Sequence, residues 1–134
     1  MKKLFSTSLL LITVSILFAQ AEPTKALPGK LYMLMRDSTT SIDVVFLQGA
    51  GGSLNIEGKN VRTFGNFFDF APAPKLNIPA AGSIMWQING REFLSGQFFL
   101  GDSLACLVTK KDGREYVNHI TQQGAEFFKG QIKK

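Results

Sequence analysis

Cysteine and histidine are nearly absent from this chain, because Cys106 and His119 are the only residues of their kinds. A single cysteine cannot form an intramolecular disulfide, so the fold must be held together by packing alone. Zinc sites need three or four clustered ligands, which one cysteine and one histidine cannot supply. Asp37 and Asp43 flank a Ser/Thr turn without the spacing of a calcium loop. We therefore expect no metal site, and no motif in the sequence indicates a cofactor.

Long apolar runs are also scarce, and the only one occupies residues 4–18. Lys2 and Lys3 precede this run, and Ala19-Gln20-Ala21 follows it with small residues where a signal peptidase cleaves. The run of about 15 residues is shorter than the roughly 20 that a membrane-spanning helix needs. We therefore predict a signal peptide over residues 1–21 and a periplasmic or secreted mature chain that does not span the membrane.

A large excess of charge of one sign is lacking as well. The formal net charge is +5, and it falls to +3 when Lys2 and Lys3 leave with the signal peptide. A balance this small is typical of a mixed solvated surface and excludes a nucleic-acid footprint. The mature residues 22–134 have the length of one domain, which we predict to be a single β-rich domain.

Short apolar runs alternate with Gly, Asn, Asp and Pro along the mature chain, which is typical of strands and turns. Nine candidate strands result: 31–36, 42–48, 53–57, 60–64, 67–70, 83–88, 91–100, 104–110 and 114–120. A proline-rich strap over residues 71–79 separates the fifth strand from the sixth, and residues 122–129 have the pattern of a short helix. We predict an all-β antiparallel fold of eight or nine strands, arranged as a small sandwich or a partly open barrel.

Two dipeptides predict tight hairpins. Asn89-Gly90 joins two alternating runs, and a two-residue turn there sets Trp86 opposite Phe93 as an aromatic cross-strand pair. Asp112-Gly113 predicts a second hairpin in which Lys110 faces Glu115.

The second hairpin also sets Cys106 directly opposite His119 on one face of the sheet. A thiol beside an imidazole is a candidate nucleophile and base, which would make the protein a small extracytoplasmic enzyme. A three-residue loop would instead place the two side chains on opposite faces. Because residues 104–108 form an apolar mid-strand, an inert buried thiol is the interpretation that we favour.

The glycines do not form a phosphate-binding or hydrolase motif. Residues 49–53 are rich in glycine, but a strand pattern follows them instead of the helix that a phosphate loop requires. Neither Ser53, which follows Gly52, nor Ser103, which lies two residues after Gly101, forms a nucleophile elbow.

Phenylalanine is abundant, and the mature chain contains three doublets, at 67–68, 98–99 and 127–128. Because neighbouring strand residues point to opposite faces, the first two doublets place rings on both sides of the sheet. Either a second sheet and the C-terminal doublet cover both faces, or aromatic rings stand exposed for a partner, a ligand or a second copy. On the second alternative Phe67, Phe98 and Trp86 bind the partner, and Phe67→Ser leaves stability nearly unchanged.

A turn at Gly101-Asp102 between the two hairpins predicts an antiparallel meander over residues 83–120. Arg91 and Arg114 follow the two hairpin turns, so they are expected at the same end of that meander. With Lys110 and Lys111 they form a candidate anion-binding end. The neighbouring acidic residues Glu92, Asp112 and Glu115 would largely neutralise it, and solvated ion pairs are the alternative interpretation.

Taken together, these patterns predict an exported, non-catalytic binding module. Its partner would be a protein, a polymer or a small apolar ligand, bound through Phe67, Phe98, Trp86, Arg91 and Arg114, and a homodimer is a further outcome. The alternative is the small enzyme with the Cys106–His119 pair.

Processing of the leader is directly testable. After expression of the full sequence in a bacterial host, N-terminal sequencing of the extracytoplasmic protein should begin at or next to Glu22. A chain that keeps Lys2 and Lys3 and stays with the membrane pellet would contradict cleavage.

Overall fold

The computed structural model describes residues 23–133, so the predicted signal peptide lies outside the described residues. The described residues form three helices: α1 (Gly29–Asp37), α2 (Asn60–Gly65) and α3 (Gln122–Ile132). The same part of the chain forms seven strands: β1 (Ser41–Phe46), β2 (Ser53–Glu57), β3 (Phe68–Pro72), β4 (Gly82–Ile88), β5 (Arg91–Leu100), β6 (Ala105–Lys111) and β7 (Arg114–Ile120). In this part of the chain no helix is both long and apolar enough to cross a membrane.

The seven strands form one antiparallel sheet in the order β2-β1-β4-β5-β6-β7-β3. The predicted fold class is confirmed: the protein is mostly β, the strands are antiparallel, and a short C-terminal helix follows them. The described sheet has β2 and β3 at its two edges.

Two of the nine predicted strands are helices. Residues 31–36 lie in α1, where Met35 is buried, and residues 60–64 lie in α2, where Val61 and Phe64 are buried. Apolar residues at a spacing of three or four define the inward face of a helix. A run that is apolar throughout, such as Leu31 to Met35, cannot be assigned to helix or strand by periodicity, which explains the error.

The C-terminal helix covers the inner face of the sheet. Phe128 of α3 is fully buried and stacks on Phe98 of β5, with ring centroids 4.4 Å apart. Gly124 permits this close approach, because a Cβ there would lie 2.7 Å from the Cβ of Phe67. Glycine lowers the intrinsic helix propensity of this segment, but here Gly124 lets the helix pack tightly against its neighbours.

Both tight hairpins are present. Asn89 and Asp112 each have φ of 52°, and the following glycines are also in the left-handed region, as a two-residue type I′ turn requires. The predicted register of the second hairpin is confirmed, since Lys110 lies opposite Glu115.

In the first hairpin the predicted Trp86–Phe93 pair is wrong. A bulge shifts the register between Trp86 and Gln87, so that Trp86 lies opposite Leu94 and Gln87 opposite Glu92. The extra residue lets Trp86 and Leu94 both face the core. Phe93 instead packs under the ammonium group of Lys111, 5.0 Å from the ring centroid.

Of the two alternatives that the doublets left open, the exposed aromatic face is wrong, and the C-terminal doublet contributes to covering the rings. Trp86 and Phe98 are 0% exposed and Phe67 is 7% exposed. Phe67 packs beside Phe64 and Phe127, with ring centroids 5.3 and 5.1 Å away. Phe67 lies just before β3 rather than within a strand, so period-two alternation does not govern the direction of its side chain.

The structure reverses the expectation for Phe67→Ser. Removing a buried ring should lower the free energy of unfolding by about 3 kcal/mol, as measured by equilibrium urea denaturation. Phe70→Ser, at a ring that is 52% exposed, is the matched control and should cost less than about 1 kcal/mol. Equal effects of the two variants would contradict the packing described here.

Candidate functional site

The outer face of the sheet, opposite α3, carries an aligned row of side chains. Successive registers place five residues side by side on five neighbouring strands: Asp43, Met85, Ser95, Lys110 and Glu115. Since neighbouring strands lie about 4.8 Å apart, four steps along the row span about 19 Å. We call these five residues the outer row.

A second row of side chains lies beside the outer row on the same face, and the two rows together line a groove. Val45, Ser83, Gln97 and Val108 are register partners on the next level of the same strands. With Phe99 and Lys75, the two rows line a cavity with a volume of about 600 Å³. The groove therefore has an apolar floor, polar groups from serine and glutamine, and charges at both ends.

Charges along the outer row are unevenly compensated. The Asp43 carboxylate accepts hydrogen bonds from Asn55 Nδ2 at 2.6 Å and Gln87 Nε2 at 3.2 Å. At the other end Lys75 Nζ lies 2.9 Å from Glu115 Oε1. Among the described residues Lys110 forms no ion pair, which leaves one free cation on the groove.

The proline-rich strap borders the groove at Lys75 and covers an apolar patch of the outer face. Ala73, Leu76 and Ala80 pack on a small cluster of outer-face residues, which are Phe99, Cys106, Val108 and Val117. The Ala73 N–H donates to the Val117 carbonyl at 3.1 Å, and Thr24 Oγ1 donates to the Ala73 carbonyl at 2.6 Å. This second apolar cluster lies on the side of the sheet opposite the main core.

Cys106 and His119 lie directly opposite each other, as the shorter loop predicts. The strap buries the thiol, which is 1% exposed, and burial raises the pKa of Cys106. A backbone hydrogen bond from Leu76 and the charge of Lys75 offset that rise only in part. Within residues 23–133 no hydrogen bond joins the thiol to the imidazole, so the arrangement lacks the contact that activates a nucleophile.

Arg91 and Arg114 are exposed and follow hairpin turns at the same end of the sheet. Arg114 lines a cavity of about 580 Å³ with Lys25 and Glu115, but Arg91 does not line it. Lys111, another of the four predicted members, donates to the Phe93 carbonyl at 2.7 Å. The predicted cationic end is therefore spread over separate contacts rather than gathered around one cavity.

Sequence reasoning missed the outer row. Asp112-Gly113 fixes Lys110 opposite Glu115, but the positions of Ser95 and Met85 depend on the β5–β6 and β4–β5 registers, which that turn does not set. The bulge at Gln87 changes the β4–β5 register, so a register assumed from Asn89-Gly90 alone shifts β5 by one residue.

No group of three or more His, Cys, Asp or Glu side chains that could hold a metal ion occurs within residues 23–133. Comparisons of the chain with protein-family models, with curated proteins and with solved structures found no match. The candidate site is therefore defined by its own geometry.

The burial of Cys106 predicts slow alkylation. At pH 7.5 iodoacetamide should modify the folded protein at least about 100-fold more slowly than the urea-unfolded protein, because reaction requires local opening and the thiolate is disfavoured. With the pKa raised, the rate for the folded protein should still be climbing at pH 9. Rapid modification of the folded thiol near neutral pH would contradict this account and favour the enzyme.

Proposed function

We propose that this protein is an exported, non-catalytic binding module whose outer-face groove holds a small amphipathic anion. The observation that carries the proposal is the outer row, which combines an apolar floor, hydrogen-bonding groups and one free cation on a rigid sheet. Sites built on strands hold their groups in fixed positions, which favours selective binding.

The dimensions of the groove suit a small organic molecule. Its volume of about 600 Å³ lies within the range of about 300–1,000 Å³ that is typical of ligand sites. Met85, Phe99 and Val108 offer apolar contact, while Ser95 and Gln97 offer hydrogen-bond donors and acceptors.

The charges along the outer row would orient a bound anion. Asp43 occupies one end of the outer row and would repel an anionic group. Glu115 occupies the other end, where its charge is paired with that of Lys75, and Lys110 lies next to it in the row. An anion would therefore bind near Lys110, with the apolar body of the ligand extending over Met85.

The enzyme remains the alternative, and one observation favours it: Cys106 and His119 are register partners on the same face as the groove. The buried thiol argues against this alternative, and the alkylation experiment separates the two hypotheses.

The proposal can be tested with 1-anilinonaphthalene-8-sulfonate, an apolar fluorophore that carries one sulfonate. Titration monitored by fluorescence should give saturable one-site binding to the folded protein. Lys110→Gln should weaken binding about 5- to 10-fold, which corresponds to roughly 1 kcal/mol for the lost charge contact. Met85→Ser should weaken binding to a similar extent by removing apolar contact.

Matched controls lie outside the groove. Lys59→Gln removes an exposed cation and Met33→Ser removes an exposed methionine, so both should bind the probe as the native chain does. Equal loss in groove and control variants, or fluorescence that never saturates, would contradict a specific site.

A further inference from the structure

The two edges of the sheet differ in how well they are protected. At β3, Pro72 lacks an N–H, the pairing with β7 is irregular between Phe68 and Pro72, and the Tyr32 hydroxyl donates to the Phe68 carbonyl at 2.9 Å. Proline, irregular pairing and covering groups are the devices that keep a strand edge from pairing with another chain. The β3 edge is therefore blocked.

The β2 edge has none of these devices. Its five residues, Ser53–Glu57, include no proline and no lysine, and the pairing with β1 is regular along the whole strand. Ser53, Asn55 and Glu57 are exposed, while Leu54 and Ile56 are half-buried on the inner face. An unprotected edge of this kind is a template for an added strand.

Hydrogen-bond parity identifies which backbone groups of β2 are free. The Phe46 N–H donates to the Gly52 carbonyl at 2.9 Å, so the pair 46–52 is a hydrogen-bonded pair. Because such pairs alternate along an antiparallel ladder, Leu54 and Ile56 also bond to β1. The N–H and C=O groups of Ser53, Asn55 and Glu57 therefore point away from the sheet.

We propose that this edge pairs antiparallel with the β2 edge of a second copy of the chain, with Asn55 opposite Asn55. Ser53 of each copy then lies opposite Glu57 of the other. All three outward-pointing residues become members of hydrogen-bonded pairs, which makes six new backbone hydrogen bonds. The register is self-complementary, as a twofold interface requires.

The side chains agree with the same register. Leu54 of one copy lies opposite Ile56 of the other in a non-hydrogen-bonded pair, where side chains approach most closely. These residues border an inner-face groove of about 390 Å³ whose lining is part apolar, from Phe64, Phe67 and Phe127, and part polar. Pairing of the edges would place Leu54 and Ile56 of the second copy at the border of this groove.

The charges of the strand are compatible with a second copy. Glu57 is the one charged residue of β2, and it faces the neutral Ser53 of the partner. The two Glu57 residues lie at opposite ends of the strand pair, about 14 Å apart at 3.4 Å per residue. No like charges are placed opposite each other. This surface does not depend on the ligand groove proposed above.

Sedimentation equilibrium of the exported chain tests the association. A contact built on one five-residue strand pair lies at the small end of specific interfaces, so we expect a monomer–dimer equilibrium with a Kd on the order of 10–100 µM. A mass that stays monomeric up to 1 mM, about tenfold above that range, would overturn the proposal.

Asn55→Pro removes the outward N–H at the centre of the pairing. Because the backbone of Asn55 does not bond to β1, the substitution removes no hydrogen bond within the chain. We expect it to abolish dimerisation without loss of cooperative unfolding. Asn55→Ala is the matched control, because it loses the same side-chain contact with Asp43 but keeps the N–H, and it should still dimerise. Equal dimerisation by both variants would overturn the proposal.

Cysteine cross-linking tests the register without depending on the proline variant. Asn55→Cys places two thiols opposite each other at a Cα separation of about 5.5 Å, so mild oxidation should yield a covalent dimer. Glu57→Cys alone should not cross-link, whereas a mixture of Ser53→Cys and Glu57→Cys should. Efficient cross-linking of Glu57→Cys alone, or none in the mixture, would overturn the register. Native Cys106 is buried and should not interfere.

Discussion

The stacking of Phe128 on Phe98 is the contact on which the rest of the structure depends. It attaches α3 to the centre of the sheet, on the face where Trp86, Phe68 and Phe64 also pack. Removal of a helix that covers one face of an antiparallel sheet would expose those rings together. In a chain without disulfides, that packing must supply the stability that covalent cross-links supply elsewhere.

Most of the buried aromatic rings pack on the inner face, and Phe99 is the ring of the outer-face cluster, so the two faces differ in chemistry. Alternation assigns serine, glutamine, lysine and aspartate to the outer positions of the same strands that supply the core. The strap covers the apolar part of that face and reaches the outer row only through Lys75, which pairs with Glu115. The groove thus results from the alternation of side chains between the two faces of the strands. The free edge of β2 lies outside the groove.

Much of the fold could be predicted from the sequence where the determinants are local. Asn89-Gly90 and Asp112-Gly113 specify their turns by themselves, and the register from Lys110–Glu115 to Cys106–His119 follows from the second turn alone. The bulge beside Trp86 could not be predicted, because it depends on which side chains pack in the core. The uniformly apolar run that became α1 lacked a period that would identify it as a helix.

The candidate site could be predicted only in part, for the same reason. The topology of the hairpins places Arg91 and Arg114 at the same end of the sheet. Whether the two arginines share a cavity depends on the segment that contains Lys25, which packs near Arg114. Likewise the doublets indicated rings on both faces, but only the long-range packing of α3 and the strap decides which rings are buried. Burial of Phe67 and Cys106 is a tertiary property that no local pattern encodes.

The aromatic residues on the inner face, with Phe128 at their centre, form an internal support for the sheet. The most direct measurement is equilibrium urea unfolding of Phe128→Ala, followed by the fluorescence of the buried Trp86. The account predicts a loss of about 3–5 kcal/mol in the free energy of unfolding, because the substitution empties the centre of the core. A loss below about 1 kcal/mol, with unchanged Trp86 fluorescence in the folded state, would contradict it.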